Sequence, residues 1–192
     1  SCADGNEKFP YYRTTLSRNV RQHIQKAMNW TEYREQLTKN VDGLSSHQKL
    51  KFAIEVCEKL FPDYKTFQDE SKWGNTNLIA DGLAACKQNA NGLGTDEKSV
   101  QILIAGIEKI TPDTEDFGEV SGSLALNSAA AVCEALSFIL DNKTERISDI
   151  GGLSYDSAYF RACEEYPKLS ESEIKNHQDL QNEINWQLEK TK

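Results

Sequence analysis

From Leu50 to Phe61 the apolar side chains recur at steps of three and four. Leu50, Ile54, Cys57 and Phe61 form one line, and Phe52, Ala53, Val56 and Leu60 widen it. That spacing follows the turn of an α-helix and not the alternation of a strand, so this segment must bury a broad stripe against neighbours. Ser45 stands three residues before Gln48, the arrangement in which each side chain satisfies the other residue's free backbone N–H at a helix start. Pro62 is expected to end the helix, because a proline disfavours the helical conformation in the residue before it.

The same period runs through the rest of the chain, and no strand-like alternation is sustained. Leu16, Val20, Ile24 and Met28 give an amphipathic helix near the start. Tyr33, Leu37 and Val41 give a second, ending near Gly43. Asn75 or Asn77 caps a helix carrying Leu78, Ile79, Leu83 and Cys86, and Thr95 is the expected cap of one carrying Val100, Leu103, Ile104 and Ile107. Leu124 to Leu140 is rich in alanine and reads as a helix that lets its neighbours approach closely. Gly151-Gly152 is expected to break or kink the helix between Thr144 and Tyr166. Ser170 and Glu173 form another capping box, opening one last helix with Ile174, Leu180, Ile184 and Leu188 inward. The expected fold is all-α, a single-domain bundle of about seven helices (residues 31–192), with residues 1–30 as an extra helical segment packed on it.

A length of 192 residues suits one core. Thirty acidic against 22 basic residues give a net charge of -8, which opposes binding to nucleic acid or anionic lipid and suits a basic protein partner. No run long and apolar enough for a membrane span stands out, since "SAAAVCEALSFIL" is interrupted by Glu134 and Ser137. The five cysteines form no CxxC pair and read as buried reduced thiols, which points to the cytoplasm. Cys2 supplies the alternative of a lipid-anchored periplasmic protein, should it follow a signal peptide.

The common catalytic patterns are missing. The three histidines, His23, His47 and His177, make no metal-ligand spacing, and no phosphate loop or nucleophile elbow is present. No catalytic residue, metal or cofactor is assigned. The leading expectation is therefore a non-enzymatic, acidic protein-binding domain, in its narrower form an immunity or inhibitor protein for a basic toxin. Its candidate contact residues are Glu58, Asp63, Tyr64, Trp73, Asp113, Glu115 and Asp116. The rival is a small-molecule or enzymatic bundle in which Glu58, Tyr64, Trp73 and Glu134 converge on a pocket. Glu134 lies in an apolar helix and needs a partner if buried.

The stretch "HQKLKFAIEVCEKLFPDYKTFQDESKWG", with "IEKITPDTEDFG", the helix around Asn127 and Glu134, and the tail "NEINWQLEK", resembles the bacterial domain-of-unknown-function family four-one-six. The likeness covers about residues 44–192. Lys59 stands where that family tends to have Arg, Trp73 where Phe is common and Asn127 where Asp is usual. The resemblance implies an all-helical fold and no established activity.

Overall fold

In a computed structural model, residues 27–192 are described. They form eight helices: α1 (Trp30–Asp42), α2 (Ser46–Ser71), α3 (Thr76–Ala90), α4 (Glu97–Glu108), α5 (Val120–Asp141), α6 (Thr144–Glu165), α7 (Glu171–Lys175) and α8 (Gln178–Lys190). Because α7 is a five-residue turn, seven substantial helices build the bundle. It is an all-α, single-domain fold. The expected helix over Leu16 to Met28 falls almost entirely outside the described residues, as does the extra-segment reading of residues 1–30.

α5 is the central element, packed against α2, α3, α4 and α6. Its buried Ala125, Ala129, Ala131 and Ala135 let these helices approach, while Val132, Leu136 and Phe138 fill the seams. By length and composition α5 is apolar enough to cross a membrane, despite Glu134 and Ser137; in this fold it is a core helix, with 50% of its apolar window buried. α3 and α4 cover one side of the α2–α5 pair, and α6 with α1 and α8 covers the other.

The hydrogen bonds between helices fix their directions. Lys49 donates to Thr144 and Arg161 pairs with Asp63, so α2 and α6 run parallel. Ser154 meets Glu183 and Gln187 meets Gly151, so α8 runs antiparallel to α6.

Three local expectations are corrected. Pro62 does not end α2, which continues through it for nine more residues to Ser71. An interior proline forfeits one backbone bond and costs roughly 3 kcal/mol, but Tyr64 and Phe67 lie buried beyond it. Two aromatic anchors on the stripe outweigh one missing bond. Replacing the exposed Pro62 with Ala restores the donor toward the Glu58 carbonyl. It is expected to stabilise the protein by about 1–2 kcal/mol, since a more flexible unfolded chain offsets part of the gain. Equilibrium urea unfolding checks this.

Gly151-Gly152 does not break α6 either. Both residues are buried, and a Cβ on Gly151 would stand 2.5 Å from Leu37 Cδ2 and 2.6 Å from Gln187 Oε1. The glycines admit α1 and α8 to close contact with α6. The expected single last helix is instead two, α7 and α8, because His177 caps α8 by accepting from the Asp179 N–H through Nδ1 (3.4 Å). A fourth, smaller correction is that Asp96, not Thr95, caps α4; the Thr95 hydroxyl donates to the Ala85 carbonyl instead.

The capping boxes at Ser45–Gln48 and Ser170–Glu173 form as expected, and Asn29–Glu32 supplies another at α1.

Candidate functional site

The corner that Pro62 was expected to make lies one helix-end later. α2 stops at Lys72, which adopts φ 59°, and Gly74 follows at φ 101°. A side chain at Gly74 would be strained by that conformation, and its Cβ would meet the Tyr64 hydroxyl at 2.6 Å. Tyr64 is fully buried; its hydroxyl donates to the Ile110 carbonyl at 2.6 Å and accepts from the Asn75 N–H at 3.3 Å. Burial raises its phenol above the ordinary value, and the Asn75 bond lowers it in part. With both bonds made, Tyr64 ties the α2 end to the end of α4 and the start of α3.

Above Tyr64 lies an aromatic cluster. Phe67 meets Phe117 edge to face at 5.0 Å, and Trp73 packs against both, at 6.1 Å from Phe67 and 5.1 Å from Phe117. Phe117 belongs to the acidic connection between α4 and α5. There the Asp113 carboxylate accepts from the Glu115 N–H at 2.8 Å and sets a tight turn. Phe117 thus pins an otherwise exposed loop to the end of α2.

Between loop and helix runs a groove of about 510 Å³. Phe67 and Phe117 form its floor, with Glu70 on the α2 wall and Asp116 and Glu119 on the other. Glu70, Asp116 and Glu119 are exposed and make no ion pair among the described residues. Of the predicted contact residues only Asp116 lines the groove; Trp73 packs behind it on Phe67 and Phe117, Asp113 and Glu115 lie in the same loop outside the lining, and Tyr64 is a structural tie. Sequence reasoning missed Glu70 and Glu119. The aromatic-acid crowding around Phe67 and Phe117 was their signal, divided between two segments some fifty residues apart.

Glu58 and Asp63 lie elsewhere. Glu58 pairs with Lys87 of α3 at 2.7 Å, with both side chains about half exposed. Asp63 pairs with Arg161 of α6. Burial pushes the Asp63 carboxyl above its ordinary range, and the guanidinium pulls it back in part. Glu134 is tied to Arg146 at 2.7 Å, and Arg146 also grips Asp141, whose carboxyl those bonds hold down to about 2. The structure does not bring Glu58, Tyr64, Trp73 and Glu134 onto one pocket.

A second cleft, of about 500 Å³, opens between α2, α6 and α8. Lys59 pairs with the buried Glu183 and lies 4.2 Å from the Trp186 ring centre. Glu183 also accepts from Ser154 at 2.6 Å and from Gln187 at 2.8 Å. Lys59 and Glu183 come from two of the segments that carry the family likeness, around "CEKLFPDY" and in "NEINWQLEK". Sequence reasoning noted Lys59 as a departure from the family pattern and did not name Glu183; the four-residue spacings Lys59–Asp63 and Glu183–Gln187 were the legible hint.

Burial raises the Cys57 thiol well above its ordinary value and pushes those of Cys86 and Cys133 up to about 12, so none is a thiolate at neutral pH. Among the described residues, no three His, Cys, Asp or Glu side chains are grouped to hold a metal ion.

A helical bundle whose polar side chains tie its helix ends, with open clefts on its surface, defines a class by architecture and by no chemistry. The chain belongs to the family described as protein of unknown function (DUF416), whose sequence model matches residues 36–192. A DUF416 family protein from Shewanella baltica, solved by crystallography, shares the fold with a TM-score of 0.69 at 21% identity, covering 80% of this chain and 81% of that one. A Haemophilus influenzae protein, described as uncharacterized, is 26% identical over 167 residues, spanning 81% of each chain.

Proposed function

We propose that this chain is a non-enzymatic protein-binding domain that receives a basic segment of a partner in the groove between the α2 end and the α4–α5 loop. One observation carries the reading: Glu70, Asp116 and Glu119 line an open groove with no cation among the described residues that line it, over a floor of packed aromatic rings. Carboxylates on two walls attract Lys or Arg side chains, and the rings beneath receive their apolar stems or face their charge. The net charge of -8 adds long-range attraction, which speeds encounter with a basic protein and weakens as salt rises. In its narrower form the partner is a basic toxin such as a nuclease, capped by the acidic face.

The test is recovery with a photo-crosslinker at Ser121, a groove-lining residue, in the native host. A basic protein is expected to be captured by the wild type, and its association rate to fall steeply between low and physiological salt. Reversing Glu70, Asp116 and Glu119 to Lys should cut its affinity by about a hundredfold or more while leaving the melting temperature unchanged. An equally strong complex with the reversed variant, or no crosslinked partner at all, overturns the reading. Stoichiometric loss of the partner's own activity on binding would support the inhibitor form.

A further inference from the structure

We propose that the cleft between α2, α6 and α8 binds a small zwitterion of the α-amino-acid class, its carboxylate on Lys59 and Arg161 and its ammonium on Glu165. The cleft shares no lining residue with the acidic groove, so this site stands or falls independently of the protein-binding reading.

Two cations point into the cleft, and a carboxylate behind each holds it there. Glu183, 5% exposed, anchors Lys59, and Asp63, 15% exposed, anchors Arg161; each cation remains 39% exposed. Because α2 and α6 run parallel, Lys59 with Asp63 one turn on and Ala158 with Arg161 one turn on lie side by side. The two cations therefore sit at neighbouring levels of one wall. An ammonium has three N–H donors and a guanidinium five. One lysine bond goes to Glu183, and Arg161 contacts Asp63 through Nη2. Both cations line the cleft with donors to spare, and the acids that anchor them lower the ordering cost of binding an oxygen anion.

A lone inorganic anion is a poor match, because Glu165 and Asp179 line the same cleft. α8 is antiparallel to α6, and the Tyr166 hydroxyl donates to Asp179 at 3.1 Å, so both acids lie at the end beyond Arg161. Asp179 accepts from the Tyr166 hydroxyl. Glu165, one turn after Arg161 on the same face, makes no ion pair among the described residues. The cleft is therefore polarised along its length, with Lys59 and Arg161 toward one end and toward the other the Glu165 carboxylate, which bonds the Tyr166 hydroxyl and has no cationic partner among the described residues. A molecule carrying both charges a short distance apart satisfies both ends. Ala158, Ala162 and the Trp186 ring supply an apolar wall for its side chain.

The experiment titrates the ¹⁵N-labelled protein with each of the twenty common L-amino acids up to about 10 mM, a range that detects millimolar affinity. It then compares any binder with its N-acetyl and C-amide forms. At least one free amino acid should give saturable shifts confined to the turns around 158–165 and 179–186. Each blocked form should bind about tenfold more weakly or worse, the loss of one charge-assisted contact. Glu165→Gln should weaken the free amino acid by about fivefold or more without moving the melting temperature, since its side chain is exposed and makes no ion pair among the described residues. Absence of cleft shifts with all twenty, equal binding of either blocked form, or unchanged affinity in Glu165→Gln overturns the proposal.

Discussion

Glu183→Ala lowers folding stability by about 3 kcal/mol, the expected cost of removing one member of a buried, hydrogen-bonded charge pair. Glu183 is 5% exposed; Ser154 and Gln187 donate to its Oε1, and Lys59 pairs with its Oε2. Gln187 is wholly buried, and its Oε1 accepts from the Tyr33 hydroxyl at 2.7 Å, so the loss reaches α1 through one chain of bonds. Burial already pushes the Tyr33 phenol upward, which keeps it a neutral donor at all physiological pH. Lys59→Met costs a similar amount for a different reason: it leaves the largely buried Glu183 charge with two neutral donors and no cation. The double variant Lys59→Met, Glu183→Leu should lose about 1–3 kcal/mol less than the sum of the single losses, because neither charge is then left alone. Urea midpoints with unchanged slopes are the measurement. Additive losses would mean that the pair contributes nothing as a pair.

The bundle was legible because most of its helices advertise themselves locally. Stripes at helical period, capping boxes at Ser45 and Ser170, and the alanine-rich α5 all act over a few residues. The errors came where distant contacts override a local preference. Pro62 reads as a stop until Tyr64 and Phe67 are seen buried beyond it, and Gly151-Gly152 reads as a break until Leu37 and Gln187 are seen against it. Asn142 ends α5 in the left-handed conformation, at φ 52°, which asparagine adopts more readily than most residues. Of the residues lining the groove, only Asp116 was named from the sequence, where it stands in an acidic stretch with Asp113 and Glu115. Glu58 and Asp63 were misplaced because their positions on α2 face α3 and α6, and the partners Lys87 and Arg161 carry no sequence cue. Arg161, Glu165 and Trp186 meet through the parallel and antiparallel packing of three helices, a relation that no single stretch encodes.

The largest effect is expected at Phe67. Phe67→Ala removes a ring that is 2% exposed and in contact with three other aromatics: Tyr64 at 6.2 Å, Trp73 at 6.1 Å and Phe117 at 5.0 Å. The lost transfer free energy and the cavity left behind together cost about 3–5 kcal/mol, and the edge-to-face pairs add to it. Such a variant is close to unfolding, so Phe67→Leu, at about 1–2 kcal/mol, is the informative partner. Phe117 holds the acidic loop through Phe67 and Trp73, so the milder variant should loosen that loop before it loosens the bundle. Amide hydrogen exchange at residues 113–119 should rise about tenfold or more in Phe67→Leu, while protection in α5 and α6 falls only by the global loss. Partner affinity at the groove should fall with it, although every carboxylate is still present, because an ordered wall has been exchanged for one that must be ordered on binding. Unchanged loop protection in Phe67→Leu would show that the aromatic floor does not hold the wall, and the groove would then owe its shape to the Asp113 turn and the Tyr64–Ile110 bond.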